Sequence, residues 1–409
     1  MDQSSFIYAT CQVGAESALK DEFARRWPEL RFAYSRPGFV TFKSAQPLPL
    51  DEDVPTRDAV FARATGHSLG KVQGESDAER AAALWQLLGE NAQRFTGLHV
   101  WERDKRPPGE RDYEPRVSQD AINAAKAIRA AVPSLQAAVA PSPDEIPANE
   151  DNSEEIATAE ESASQEESAE QQESPAPTEA AADQPPEAAP EATPPKLRTW
   201  VQQGTLVLDV ILVEPETWWV GQHFATTNPS CWPGGFCRIT VREPVISRAY
   251  YKVEEALQWT GLPFRKGERV ADLGCAPGGA SQALLARGMR VFGVDPANPD
   301  LSLLQNLNFW HEKKRGAEVR LKHFRGIPWL VADMNVAPNY TLDTVEKIVT
   351  YEGVDIRGML LTLKFLDWDM AAEIPDYAFR VRTWGFKHVH VRQLAANRQE
   401  VCLAAWRDG

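Results

Sequence analysis

VADLGCAPGGASQALL, residues 270–285, decides the fold. An apolar run leads into Gly274, and the Gly278-Gly279 pair opens onto a helix-forming stretch. Strand, glycine loop and helix together make the first unit of a doubly wound α/β sheet. Gly274, Gly278 and Gly279 let the backbone approach a ligand and start the helix with no side chain in the way. A dinucleotide site would read GxGxxG, but Ala276 stands where its second glycine belongs. The loop suits a nucleoside that carries no pyrophosphate. MRVFGVDP, residues 289–296, ends the next strand with Asp295, a carboxylate placed to accept ribose hydroxyls. Loop and carboxylate together point to S-adenosylmethionine. Ordinary turns would use the same residue types, but the strand-to-helix context favours the ligand.

Downstream, apolar strand candidates fall at 269–275, 290–295, 329–333 and 358–364. Helix candidates lie at 279–287, 301–311, 342–351 and 369–384, and strands at 386–393 and 400–406 close the pattern. The alternation predicts an open, mostly parallel, Rossmann-like sheet whose last two strands are antiparallel.

LLTLKFLDW, residues 360–368, then raises a question: Lys364 ends a strand that is otherwise buried. A lone lysine there would snorkel to water. Three further residues make it less lonely. Lys252 lies in SRAYYKVEEAL before the glycine loop, Asp333 ends the strand in WLVADMNVAPN, and Glu400 opens the last strand in AANRQEVCLAAW. In a doubly wound sheet Asp333 and Lys364 share the carboxyl edge, where ligands bind. Any one of these alone is a structural charge; four at one edge form a candidate site.

These pieces carry a resemblance. Residues from about 229 to 407 resemble the FtsJ-type RNA ribose 2′-O-methyltransferases, whose signature is a Lys-Asp-Lys-Glu tetrad around a DLGxxPGG loop. CWPGGFCRI, SRAYYKVEEA, ADLGCAPGGAS, VADM, LTLK and RQEV stand in the order of the RlmM branch of 23S ribosomal RNA methyltransferases. That branch carries a ferredoxin-like and a THUMP domain ahead of the catalytic one. The resemblance implies S-adenosylmethionine as cofactor and RNA as partner, with 23S rRNA as substrate and no metal. Lys364 would be the general base, supported by Asp333, Lys252 and Glu400. Gly274, Ala276, Pro277, Gly278, Gly279, Asp295, Asp333 and Ser247 would bind the cofactor. Two departures stand out: Ala249 and Tyr250 replace the family's Ser or Thr, and no adenine-contacting acid can be placed in HEKKRGAEVRLKHFRG. Asn335 and Pro338 would shape the methyl site.

The chemistry agrees. A ribose hydroxyl is a poor nucleophile, so alignment and a general base supply the rate. A lysine serves as base if burial and a neighbouring ammonium, here Lys252, bring its pKa toward neutrality.

Upstream, a strand at 6–12, a helix at 15–27, a hairpin at 31–35 and 39–42, a helix at 77–93 and a strand at 98–103 suggest a ferredoxin-like α+β domain. The expected division is a ferredoxin-like domain at 1–100, a THUMP-like domain at 101–137 and 198–235, an insert at 138–197 and the methyltransferase at 236–409. Arg103, Lys105, Arg106, Arg111 and Arg116 cluster in one loop, and Arg26, Arg31 and Arg36 gather near the start. Such residues contact phosphates, and Trp218, Trp219 and Trp232 could stack on bases. For each one singly, solubility or core packing is the better reading.

Charge is uneven along the 409 residues. Residues 141–195 hold 16 of the 58 Asp and Glu and none of the 44 Lys and Arg. The rest is near neutral, so the net charge of −14 belongs to one segment. Lacking aromatic residues, that segment is expected to be a disordered acidic spacer. Cys11, Cys231, Cys237, Cys275 and Cys402 form no CxxC pair, which argues for reduced thiols and no zinc site. No secretory signal is visible, and no apolar run approaches the ~20 residues of a membrane helix. A cytoplasmic protein is expected. Rival readings stay open: a non-catalytic ribosome assembly factor, or a 2′-O-methyltransferase of tRNA or of an mRNA cap. An NAD-dependent oxidoreductase is disfavoured by Ala276.

Overall fold

The computed structural model describes residues 3–110, 116–132, 197–241 and 243–408. Among the described residues, two seven-stranded sheets carry the chain. The first is built from β1 (Gln3–Thr10), α1 (Glu16–Arg26), β2 (Leu30–Arg36), β3 (Phe39–Pro49), β4 (Ala64–Gln73), α2 (Asp77–Leu88), β5 (Gly97–Glu102), α3 (Gln119–Ala130), β6 (Leu206–Glu214) and β7 (Thr217–Phe224). Its strand order is β2-β3-β1-β4-β7-β6-β5. Ser76 and Ser118 cap α2 and α3 by accepting the backbone N–H of Glu79 and Ala121.

This sheet runs across the expected domain border. The strand beside β1 is β4, which ATGHSLGKVQ conceals because its two glycines break any apolar alternation. β4 also pairs with β7, so the ladder runs unbroken across both expected domains. β5 pairs in parallel with β6 instead, and the border at residue 100 cuts through that pairing. A buried polar network pins the strands. Tyr8 Oη donates to Asp209 Oδ2 at 2.7 Å, and His223 bridges Asp209 and the Ser230 carbonyl at 2.7 and 2.8 Å. His99, Asp209 and His223 cluster closely enough to be metal ligands. Both nitrogens of His223 are engaged by protein, which favours a hydrogen-bonded core.

The second sheet follows α4 (Ala249–Thr260). It comprises β8 (Arg269–Leu273), α5 (Gly279–Ala286), β9 (Arg290–Val294), α6 (Leu301–Leu304), β10 (Phe309–Glu312), β11 (Trp329–Ala332), α7 (Pro338–Val349), β12 (Gly358–Lys364), α8 (Ile374–Thr383), β13 (His388–Arg392) and β14 (Glu400–Trp406). The order is β10-β9-β8-β11-β12-β14-β13, with β14 antiparallel between β12 and β13. This is the predicted doubly wound arrangement, with one edge differing. The helix expected over 301–311 stops after one turn. Asn306 Oδ1 accepts the Asn308 N–H at 2.9 Å, and the chain turns into β10, which pairs with β9. The helix expected over 369–384 is a 3-10 segment that becomes α8 at Ile374.

One apolar core runs from the first sheet into the second. It includes Phe23, Phe42 and Phe61 on one side and Phe365, Tyr377 and Phe386 on the other. Trp218 is buried in the first sheet's second core, so it is a packing residue and not a base-stacking one. The expected insert, 138–197, lies outside the described residues except for Leu197. Its flanks meet: the Arg129 guanidinium donates to the Leu197 carbonyl at 3.4 Å and to Thr199 Oγ1 at 2.7 Å. No described helix is long and apolar enough to cross a membrane.

Candidate active site

β8 lies between β9 and β11, so the chain leaves the sheet in opposite directions on its two sides. Such a switch point opens a crevice at the carboxyl edge. A cavity of about 280 Å³ lies there, walled by the glycine loop, Ser247, Asp295, Asp333, Asn335 and Lys364. Gly274 adopts φ +81°, and a Cβ on it would lie 2.8 Å from the Asp333 carbonyl oxygen. A Cβ on Gly279 would lie 2.5 Å from the Ser247 carbonyl oxygen, so the glycine lets α4 and α5 meet. Asp295 is held by the backbone N–H groups of Ala276 at 3.2 Å and Ala297 at 2.7 Å. Each carboxylate oxygen keeps a lone pair for a further donor. An open glycine cradle beside a fixed carboxylate fits a nucleoside with a free ribose diol.

The four charged residues gather at one end of this cavity. Lys252 projects from α4 and Asp333 follows β11, while Lys364 and Glu400 are register partners across β12 and β14. Lys252 Nζ lies 3.0 Å from Asp333 Oδ2 and 2.6 Å from Glu400 Oε1. Lys364 Nζ lies 3.0 Å from the other oxygen, Asp333 Oδ1. The side chain of Lys364 is 24% exposed and that of Lys252 only 9%. Both lysines line the cavity, and Lys364 is the more accessible of the two amines.

Burial disfavours the charge on Lys252, but the carboxylates of Asp333 and Glu400 outweigh it and hold its pKa above the usual lysine value. Burial likewise opposes ionisation of Asp333. Lys252 and Lys364 overcome this and hold its carboxyl below the usual range. The pair is therefore ionic inside the protein, which needs this mutual compensation.

Sequence reasoning missed Asp272, which lies in the middle of the motif. It is fully buried on β8 under the glycine loop, and its Oδ2 accepts the Ser281 hydroxyl at 2.6 Å. Burial pushes its carboxyl up to about 7, against the Ser281 hydrogen bond and helped by Asp333 and Asp295. The signal was a carboxylate inside an apolar strand with a serine nine residues on. Arg248 also lines the cavity and went unnoticed.

The expected RNA contacts fare unevenly. Arg26 is paired with Glu22 and Asp58, Arg36 with Glu214, and Lys105 with Glu102. Arg103 donates to the carbonyls of Val213 and Pro37. Arg31, Arg106 and Arg116 are exposed, and Arg111 lies outside the described residues. Trp219 stacks on Tyr34 with ring centroids 5.5 Å apart, and Trp232 lies beside Trp200.

Comparison with known proteins follows the same lines. The family model for FtsJ-like methyltransferase matches residues 245–392, a range that holds three of the four clustered residues and stops short of Glu400. Ribosomal RNA large subunit methyltransferase M of Alkalilimnicola ehrlichii is 29% identical over 186 residues, covering 43% of this chain and 50% of that protein. Its counterpart in Idiomarina loihiensis is 32% identical over 139 residues, covering 32% of this chain and 37% of that protein. The chain thus spans about half or less of the length of these relatives. Among solved structures, fibrillarin of Aeropyrum pernix, with natively bound S-adenosyl-L-methionine, is 15% identical with a TM-score of 0.29. It covers 48% of this chain and 81% of that one, and at that level the likeness decides nothing. The sheet, the glycine loop and the family match agree: residues 245–392 form an FtsJ-like methyltransferase domain.

Proposed function

We propose that this protein transfers a methyl group from S-adenosylmethionine to a ribose 2′-hydroxyl of RNA, with 23S ribosomal RNA as substrate. The meeting of Lys252, Asp333, Lys364 and Glu400 beside the glycine-loop cavity carries this reading. The cofactor supplies a methyl group on a sulfonium, open to in-line attack. Gly274, Ala276, Pro277, Gly278 and Gly279 would hold it through the backbone and Asp295 through its ribose, with Ser247 and Asp333 on the remaining walls. The protein's own work is alignment and the proton. Lys364 accepts the hydroxyl proton at Nζ. Asp333 orients that amine with one oxygen and is itself fixed through the other by Lys252. Glu400 anchors Lys252 from the far side, so the cluster does not repel itself apart. A base placed this way contributes roughly 10²–10⁴ in rate.

The first sheet is the RNA-binding part, a ferredoxin-like and a THUMP-like unit fused through β4. The names of the relatives support ribosomal RNA as the substrate, which would be met in the cytoplasm. The test is methyl transfer from labelled S-adenosylmethionine to rRNA from cells lacking the gene. Lys364→Ala runs beside the wild type, and sites are mapped by resistance to alkaline cleavage. Label at one ribose with wild type alone is expected. Label on tRNA only would move the substrate. Cofactor binding with no transfer to any RNA would favour an assembly factor.

A further inference from the structure

Loop 393–399, between β13 and β14, carries the chain into Glu400 and is held from three directions. From within, Asn397 is completely buried. Its Oδ1 accepts the Leu394 N–H at 2.8 Å, and its Nδ2 donates to Glu400 Oε1 at 3.3 Å. That same oxygen accepts the Arg398 N–H at 3.2 Å and lies 2.6 Å from Lys252 Nζ. From α4, Glu255 accepts the N–H groups of Ala395 at 2.7 Å and Ala396 at 3.1 Å. Glu255 and Lys252 are three residues apart and share a helix face, so one helix grips both the loop and its carboxylate. From the first sheet's side, Gln12 Nε2 donates to the carbonyls of Leu394 at 2.8 Å and Asn397 at 3.1 Å. The Gln393 N–H donates to the Val60 carbonyl at 2.8 Å, and Arg392 Nη2 to the Arg63 carbonyl at 2.7 Å.

Gln12 follows β1 and is almost fully buried. It is remote in sequence from the methyltransferase, yet its amide is spent on that domain's loop. The strand carrying Lys364 is tied to the same place: the Phe365 N–H donates to the Gln399 carbonyl at 2.9 Å, and Trp368 packs edge-on to Phe61. A carboxylate steering an ammonium must be held to a fraction of an ångström, and its support is part of the site.

We infer that Gln12 and Asn397 are positioning residues for methyl transfer: Gln12 fixes loop 393–399, and Asn397 aims Glu400 at Lys252. The first sheet is then a structural part of the catalytic cluster as well as an RNA-binding surface. This rests on the methyltransferase reading for its effect on rate, but the coupling to Lys252 does not need it. Around the Lys252 ammonium stand Asp333 after β11, whose other oxygen holds Lys364 of β12, and Glu400 and Cys402 on β14; Glu255 lies one turn on along its own helix.

The experiment uses the full chain as wild type, Asn397→Ala, Gln12→Ala and Gln12→Glu, with Lys364→Ala as the inactive reference. Two quantities are read: steady-state methyl transfer, and titration of the Lys252 side chain by NMR of labelled lysine. Asn397→Ala is expected to lower kcat roughly 10-fold to 100-fold, with the KM for RNA and the Kd for cofactor within about 2-fold. Each Gln12 variant should lower kcat in the same way and by less, since other bonds still hold the loop. In the Asn397 and Gln12 variants the Lys252 titration should move to lower pH, because Glu400 no longer faces it squarely. Wild-type kcat in Asn397→Ala, or a loss lying wholly in RNA KM, overturns the inference while the methyltransferase reading stands. If wild type transfers no methyl group, that reading falls, and an unmoved Lys252 titration in the Gln12 variants overturns the coupling separately. If Asn397→Ala does not fold, the two Gln12 variants decide the matter by the same readings.

Discussion

Lys364 and Lys252 are the same residue type with opposite burdens. Lys364 touches one carboxylate and is the more exposed to the cavity, whereas Lys252 is more deeply buried between two. Lys364→Ala should therefore lower kcat by about 10²–10⁴ and leave cofactor affinity nearly unchanged in a binding titration. An equal loss of affinity and rate would remove Lys364 from the role of base. Lys252→Met leaves Asp333 with one of its two ammonium partners and takes from Glu400 the one ion pair described for it. Its expected cost is about 3–5 kcal/mol of folding stability, read by urea unfolding. All four charged residues were legible in the sequence because each stands beside a strand or in a motif with a known place at the sheet edge. Asp272 was not, since an aspartate inside an apolar strand looks like part of the turn until its burial is seen. Asn397 was invisible for a different reason: its importance lies in what it touches.

The glycine loop is the element on which the site is built, and it makes two predictions. Gly279→Ala forces a methyl group against the Ser247 backbone, where neither α4 nor α5 can yield cheaply. It should cost about 1–3 kcal/mol and abolish cofactor binding, as thermal unfolding and calorimetry will report. The second concerns Asp272 beneath the loop. Its folded carboxyl keeps a proton to about pH 7, while in the unfolded chain it ionises near ~3.9. The folded state thus binds the extra proton in that window, and stability falls as pH rises across it. A cation held over the loop favours the ionised form and lowers this pKa. Cofactor binding should release a proton below neutrality, and affinity should rise toward about pH 7 and then level off. Calorimetry in buffers of different ionisation heat would detect the proton; none exchanged at pH 6.5 would exclude Asp272 as its source. Among elements, the parallel strands were readable because burial on both faces makes them continuous apolar runs. β4 and β10 were not, one broken by glycines and the other a four-residue edge strand within an apparent helix.

At the scale of the molecule, the doubly wound half was legible; in the first sheet β1, β2, β3 and β5 were legible but the order that joins them was not, because strand pairing across a long insert leaves no local trace. The insert itself can be tested. Its flanks already touch through Arg129, Leu197 and Thr199, so residues 133–196 can be replaced with a short Gly-Ser linker. Stability should change by no more than about 1–2 kcal/mol, and methyl transfer to naked rRNA should persist. A collapse of the fold would give the acidic segment a structural task. The position of β14 has a further consequence, for the order in which the molecule is made. Synthesis delivers β12 and β13 before the strand that belongs between them, and Glu400 is the last of the four charged residues to appear. Until β14 pairs, β12 and β13 lack the strand between them and leave an unpaired edge, the kind that invites association with a neighbour. The chain then also holds two lysines against a single aspartate. A chain that ends before residue 400 therefore lacks both the strand that closes this sheet from its middle and the second carboxylate of the cluster.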